Sequence, residues 1–502
     1  MLVNFLLVSF LVFFIRFLPI LAGKGFLHHY SYDSGWYFLF AKYFYKKRKN
    51  NKNILDEKLI IYSGIENPSL YSYFLSYLFH LFSYSFLQKY LNVFLDLFFS
   101  VLLFFILQFF DFSPYKSFLL VCVYLLSPIF YSITNIGPRL YGVTPRLVSE
   151  ALFTLVIFFM YCYLFVSTYY LIPFLIFLSS IFYISKFTIQ VVFFLLFPVM
   201  LLNQSYVLLG LSILTLVINI IVSNTLRVSL KGQFQHLKWY FGMIKNKLFL
   251  TNRNSIRSIY KSIIYRNLKS FLQSIYKENS FTSTSIKFFP FFVMIYFMDH
   301  STNIFFSSFI LVSLILFVFI NTKYLIFLGE AERYVVHALL PILIIMGNTF
   351  TNQTLILFIC ILIIFYLVEL FYIYTTYTKD IFADHDETYL FLKKIKSPKN
   401  ILLNPLGILS GFELAANTQH NIFNSSVGFR SDLKNIDKFL YEYPVLNMNN
   451  LEFFIKEYDI NLMVLTEEYI DKLPNHIKKI MNKLFKLTYN SKNNIYKVFE
   501  IK

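Results

Sequence analysis

Asp33 stands among aromatics in "YDSGWYFLFAKYF", a few residues past an apolar run. Glu66 follows in "YSGIENPSLYSYF". Two later stretches also carry charge beside apolar runs. "GPRLYGVTPRLVSEALF" (137–153) holds Arg139, Arg146 and Glu150, and "GEAERYVVHALLP" (329–341) holds Glu330, Glu332 and Arg333. Lys186 alone separates two further apolar runs. These residue types have a defined chemistry. A carboxylate within hydrogen-bond reach takes or orients a hydroxyl proton, and a guanidinium matches a phosphate through paired hydrogen bonds. Each also has an ordinary reading. Asp33 fits a solvated rim, Arg139 and Arg146 fit side chains reaching for headgroups, and Lys186 fits a short-loop charge. Glu150 fits a helix N-terminus, and Glu330, Glu332 and Arg333 can pair among themselves. His28, His29 and His337 read as interface or packing histidines. Asp96 and Glu369 lie inside apolar runs, where charge is expensive, and no partner for either stands out.

The elements that position these groups are membrane helices. The chain has 502 residues, 57% of them hydrophobic, and a mean hydropathy of +0.59. No ordinary soluble protein has this composition. The 64 Phe and 39 Tyr accompany many Ile, Lys and Asn, a pattern that compositional bias accounts for. Apolar runs of spanning length fall at 2–21, 90–110, 116–134, 148–168, 170–186, 187–203, 206–222, 286–302, 304–322, 334–350 and 353–376. The first lacks a basic leader and a small-residue cleavage pattern, so it reads as a retained helix. The fold class is therefore a polytopic α-helical membrane protein of about eleven spans. Residues 1–376 form its membrane domain. Residues 377–502, about 125 in number, form a small C-terminal α/β domain. There "NILLNPL" and "NLMVLT" read as buried strands, and "FKLTYNSKNNIYKVFEI" reads as a hairpin closing on Ser491–Asn494. No phosphate loop, HExxH or nucleophile elbow occurs in it. Cys122, Cys162 and Cys360 are far apart inside apolar runs and read as packing residues.

One segment fixes the topology. "SLYSYFLSYLFHLFSYSFL" (69–87) is long enough to span, yet Ser69, Ser72, Ser76, His80 and Ser83 draw a polar stripe at helical spacing. It reads as an amphipathic helix lying at the interface. With the N-terminus cytoplasmic, the loop 22–89, the loops carrying the charged stretches and the C-terminal domain then share the extracytoplasmic face. The net charge of +18 is uneven, with twelve Lys/Arg against Glu278 alone within 223–287. Ile256, Ile259, Ile263 and Leu268 line one side of this basic amphipathic segment (223–285). That pattern suits an anionic membrane surface rather than nucleic acid.

The order of these motifs resembles the C-type glycosyltransferase (GT-C) superfamily, in the manner of bacterial members of unassigned specificity. In that family an acidic motif follows the first span, and Asp33 holds that position. A "Pro-Pro-Leu"-like stretch then opens a helix along the membrane surface; "NPSLYSYF" is similar, with Asn67 in place of the first proline. "TPRLVSEALF" is similar to an Arg-then-acid pattern at the outer start of a later helix, matched by Arg146 and Glu150. The resemblance covers most of 1–376. The paired-acid branches carry a second carboxylate beside the first; here Glu66 is nearest, which leaves a divalent metal possible and its ligands open.

The resemblance implies a membrane glycosyltransferase moving a sugar from a polyprenyl-phosphate donor to an extracytoplasmic lipid, glycan or protein. Asp33 would take or orient the acceptor proton. Arg139, Arg146, Lys186 and Arg333 would hold the donor phosphate, with Glu66, Glu150, Glu330 and Glu332 as supporting acids. Two rivals stand beside it. A polysaccharide polymerase or ligase of another fold should cluster its cations in one long central loop. A flippase or transporter should show an internal repeat, and none is visible.

Overall fold

The computed structural model describes residues 2–23, 32–50, 58–60, 70–132, 140–244, 256–297, 304–322, 324–325, 328–376, 381–403, 411–423, 438–442 and 445–502. Most of the chain is helical. Among the described residues, three helices are long and apolar enough to cross a membrane: Tyr84–Phe109, Arg146–Phe165 and Asn352–Thr375. Six shorter apolar helices accompany them. Several predicted spans are broken for local reasons. The run 116–134 ends at Leu126, where Ser127 and Pro128 divert the backbone. The run 286–302 is split at Phe288, after which Pro290 opens the eight-residue helix Phe289–Tyr296. The break before Lys186 is real: the helix Leu171–Ile181 stops, and a new one starts at Lys186.

The charges inside the apolar region have partners that sequence spacing does not reveal. Arg16 Nε donates to Asp96 Oδ2 at 2.5 Å, and Tyr124 donates to the other Asp96 oxygen. Glu369 accepts from Ser132 Oγ at 2.9 Å and from Tyr276 Oη at 2.6 Å. Each pairing ties distant helices together, because a buried charge needs a partner and takes it wherever the fold supplies one. Cys122 and Cys162 are buried and Cys360 is exposed.

The serine-striped segment is not one helix. It forms Leu70–Leu78, then turns, and Ser83 caps the long helix Tyr84–Phe109 by accepting from Phe86 N. Nine residues rise only about 13–14 Å, less than half a bilayer core of roughly 30 Å. The stripe also divides. Ser72 and Ser76 are buried, while His80 and Ser83 lie exposed at the turn. The exposed side of the short helix is aromatic: Tyr73, Phe74 and Tyr77. Small serines let this helix pack closely on its neighbour, so the polar face points into the protein. Ser69 lies outside the described residues.

The C-terminal sheet is built from β1 (Asn400–Leu403), β2 (Asn421–Ile422), β3 (Leu462–Thr466), β4 (Phe485–Asn490) and β5 (Tyr496–Ile501), in the order β2-β1-β3-β5-β4. β1 runs parallel to β2 and β3; β5 is antiparallel to β3 and β4. The β4–β5 turn falls at Ser491–Asn494, as expected, with Asn494 at φ +59°. Asp384 clamps that turn, accepting from Ser491 Oγ at 2.5 Å and from the Asn493 and Ile495 amides.

The sheet shares a core with the helix Tyr32–Asn50, which holds Asp33. Trp36, Phe38, Leu39 and Phe40 pack with Tyr71, Leu75, Phe412, Leu414 and Val464. Gly35 allows the approach, since a Cβ there would overlap the backbone of Glu413. Lys42 caps the helix Gly411–Asn417, donating to the Ala416 carbonyl and to Asn417 Oδ1. Leu59 extends the sheet edge beside Ile422. The basic segment forms the helices Asn224–Ile244 and Ile256–Ile264, and the latter exposes Ile256, Tyr260 and Ile263.

Candidate active site

Arg146 opens a long helix, and the residues before it are pinned from two directions. Asn92 Nδ2 donates to the Gly142 carbonyl at 2.7 Å, and Val143 N donates to Ser34 Oγ at 2.7 Å. Gly142 adopts φ +78°, a backbone state that side chains disfavour. The residue after Asp33 is thus bonded to the chain three residues before Arg146. Within the helix, Arg146 Nε donates to Glu150 Oε1 at 3.1 Å, the i,i+4 pair its spacing suggests.

The opposite wall comes from 328–337. Gly329, at φ +103°, lies against the Phe187 ring. Glu330 forms an ion pair with Arg333. The Arg333 guanidinium lies 5.1 Å from the centre of the Phe187 ring, a cation–π contact that fixes its direction. Glu332 turns the other way: it is 4% exposed and accepts from Ser280 Oγ at 3.2 Å. It anchors this wall and does not line the cavity. Near Lys186, the turn carbonyl of Tyr183 accepts from Leu70 N at 3.1 Å, joining the Lys186 helix to the short serine-bearing helix.

These elements surround a partly open cavity lined by Tyr37, Thr144, Pro145, Arg146, Ser149, Ser185, Phe187, Thr188, Arg333 and His337. Two arginines 187 positions apart in sequence (333 − 146) therefore face one space. Such a pair suits a phosphate, since guanidinium groups match its oxygens and neutralise its charge.

The candidates from the sequence divide as follows. Arg146 and Arg333 line the cavity, and Glu150 and Glu330 are their carboxylate partners. Lys186 starts a helix between the liners Ser185 and Phe187, but its own side chain does not line the cavity. The backbone of Asp33 lies in the helix Tyr32–Asn50, one turn before the liner Tyr37. The Asp33 side chain, Glu66 and Arg139 lie outside the described residues, as do His28 and His29. Among the described residues no group of three His, Cys, Asp or Glu could hold a metal ion. Sequence reasoning missed Tyr37, Thr144, Thr188 and His337 as liners. Only His337 carried a signal, standing four residues after Arg333 and so on the same helical face.

No protein-family model matches the chain, and no curated protein matches it. Solved structures do. ArnT from Cupriavidus metallidurans in the apo state aligns at TM-score 0.53 with 9% identity, over 92% of this chain and 92% of that one. The same protein bound to undecaprenyl phosphate aligns at TM-score 0.51 with 9% identity, over 99% and 97%. The chain has the GT-C fold. The oligosaccharyltransferase of Archaeoglobus fulgidus also aligns, at TM-score 0.44 and 9% identity, over 97% of this chain and 72% of that one. At 9% identity the two ArnT alignments speak for the fold alone, over nearly the whole chain.

Proposed function

We propose that this protein is a membrane glycosyltransferase that moves a sugar from a polyprenyl-phosphate-linked donor to an acceptor outside the cytoplasm. The observation that carries the reading is the convergence of Arg146 and Arg333 on one cavity within a GT-C fold. A solved neighbour of that fold binds undecaprenyl phosphate. The acceptor hydroxyl attacks the sugar carbon, and the bond from that carbon to the phosphate oxygen breaks with its electron pair. The leaving phosphate gains charge, which fixed cations stabilise as it develops. Arg146 and Arg333 are the cations for that role, with Lys186 and Arg139 as outlying candidates. Asp33 takes or orients the acceptor proton. Glu150 and Glu330 aim the guanidinium groups rather than touch substrate. In this reading residues 1–376 carry the transfer and 377–502 form a module against its extracytoplasmic rim.

The test is analysis of glycans and lipid-linked sugars in a deletion strain complemented with wild type or Asp33→Ala. Loss of a glycan, with its donor accumulating, is expected in the deletion and in the variant. Full restoration by Asp33→Ala removes Asp33 from catalysis. A deletion that changes no glycan or sugar carrier ends the enzyme reading.

A further inference from the structure

His337 follows Arg333 by one helical turn and lines the same cavity. Its Nδ1 lies 2.6 Å from the Arg333 carbonyl oxygen. A carbonyl oxygen only accepts, so Nδ1 carries the hydrogen, and in the neutral ring the lone pair is on Nε2. Nε2 is buried and meets no hydrogen-bond partner, in a residue 6% exposed. The ring cannot turn to satisfy it without losing the Nδ1 bond. Phe153 also holds it edge-on, with ring centres 5.0 Å apart. Thr144 Oγ1, on the facing segment, is likewise buried without a partner. Buried polar atoms are satisfied in nearly all native proteins, by protein, ordered water or a ligand, so such atoms in a cavity mark where a water or an occupant's polar group is held.

The chemistry of that occupant is restricted from two sides. Arg146 and Arg333 favour an anion and repel a cation. A phosphate at neutral pH offers only acceptor oxygens, which cannot satisfy the Nε2 lone pair. The missing group is an uncharged donor, and a hydroxyl is the simplest. We propose that His337 Nε2 accepts a hydrogen bond from a hydroxyl of the sugar in a lipid-linked sugar phosphate while Arg146 and Arg333 hold its phosphate. This rests on the cavity being the phosphate site and goes further: the cavity distinguishes a sugar-bearing lipid from the bare polyprenyl phosphate.

The test uses the full chain in detergent, with binding measured for undecaprenyl phosphate, undecaprenyl phosphoglucose and undecaprenyl phosphomannose. Wild type, His337→Phe, His337→Gln and Arg146→Met are compared. Undecaprenyl phosphate is expected to bind wild type and both His337 variants within about twofold. At least one sugar-bearing lipid should bind His337→Phe roughly tenfold more weakly than wild type, the effect of one lost hydrogen bond. Gln offers an amide oxygen near the Nε2 position and should retain most of that affinity. Equal binding of the sugar-bearing lipids by His337→Phe overturns the proposal. So does a matching loss for the bare lipid, which indicates a merely structural histidine. If Arg146→Met binds undecaprenyl phosphate like wild type, the phosphate reading itself fails and the inference falls with it.

Discussion

Arg16 and Asp96 form an ion pair at 2.5 Å with both side chains at 0% exposure. Arg16 also donates to the Leu125 carbonyl at 2.7 Å, so one side chain joins three helices. Removing one member strands the other charge. Arg16→Met or Asp96→Leu alone should cost about 3–5 kcal/mol. The double variant should recover much of that loss, because a matched apolar pair needs no counter-ion. Unfolding of the purified variants in detergent measures both effects.

Arg146→Lys and Arg333→Lys should each lower transfer by about 10²-fold or more, since an ammonium keeps the charge but loses the planar fork. Phe187→Leu should cost less, because it removes the platform under Arg333 but leaves both guanidinium groups and an apolar cavity wall in place. A Phe187→Leu defect as large as that of Arg333→Lys would point to direct substrate contact by the ring. Rates with a lipid-linked donor, once one is identified, decide between them.

Gly35→Ala tests the contact between the helix Tyr32–Asn50 and the helix Gly411–Asn417. The added methyl meets Glu413 backbone and not a movable side chain. The helices must separate, at a cost of about 1–3 kcal/mol. Limited proteolysis should then release fragments of 377–502 sooner than in wild type.

Glu413 makes the same junction sensitive to pH. Burial pushes its carboxyl above the ordinary range, against the opposing effect of His385, with Asp386 raising it further and Gln88 lowering it. The folded chain therefore holds this proton more tightly than the unfolded chain. The cost of the ionised form is fully present above the folded value and disappears below the ordinary carboxylate range. Stability should rise as pH falls from neutral through that window. Glu413→Gln should be more stable than wild type at pH 7 and should flatten the profile. Melting temperatures across pH 4–8 check the sign.

The membrane class, the C-terminal strands, the hairpin turn and the Glu330–Arg333 pair were legible because they are local: run length, alternation and i,i+3 spacing. Asp96 and Glu369 had no visible partners because Arg16, Ser132 and Tyr276 are close only after helices pack. The serine stripe was legible as a stripe, but its direction was not. Hydropathy expects Ser72 and Ser76 to face water, and packing turns them inward instead. His337 read as a packing histidine. The flanking Phe153 and Phe187 rings agree with that, and its unsatisfied nitrogen adds what periodicity could not encode.

The contact through Gly35 has one more consequence. Two helices cannot touch through a lipid bilayer. The helix just after the first apolar segment and the module near the chain's end are therefore on one side. The chain between them must cross an even number of times. If each of the ten apolar runs that the sequence places between them crosses once, that parity is met, and an eleventh crossing by the segment that turns back after Leu78 would break the contact of Gly35 with Glu413.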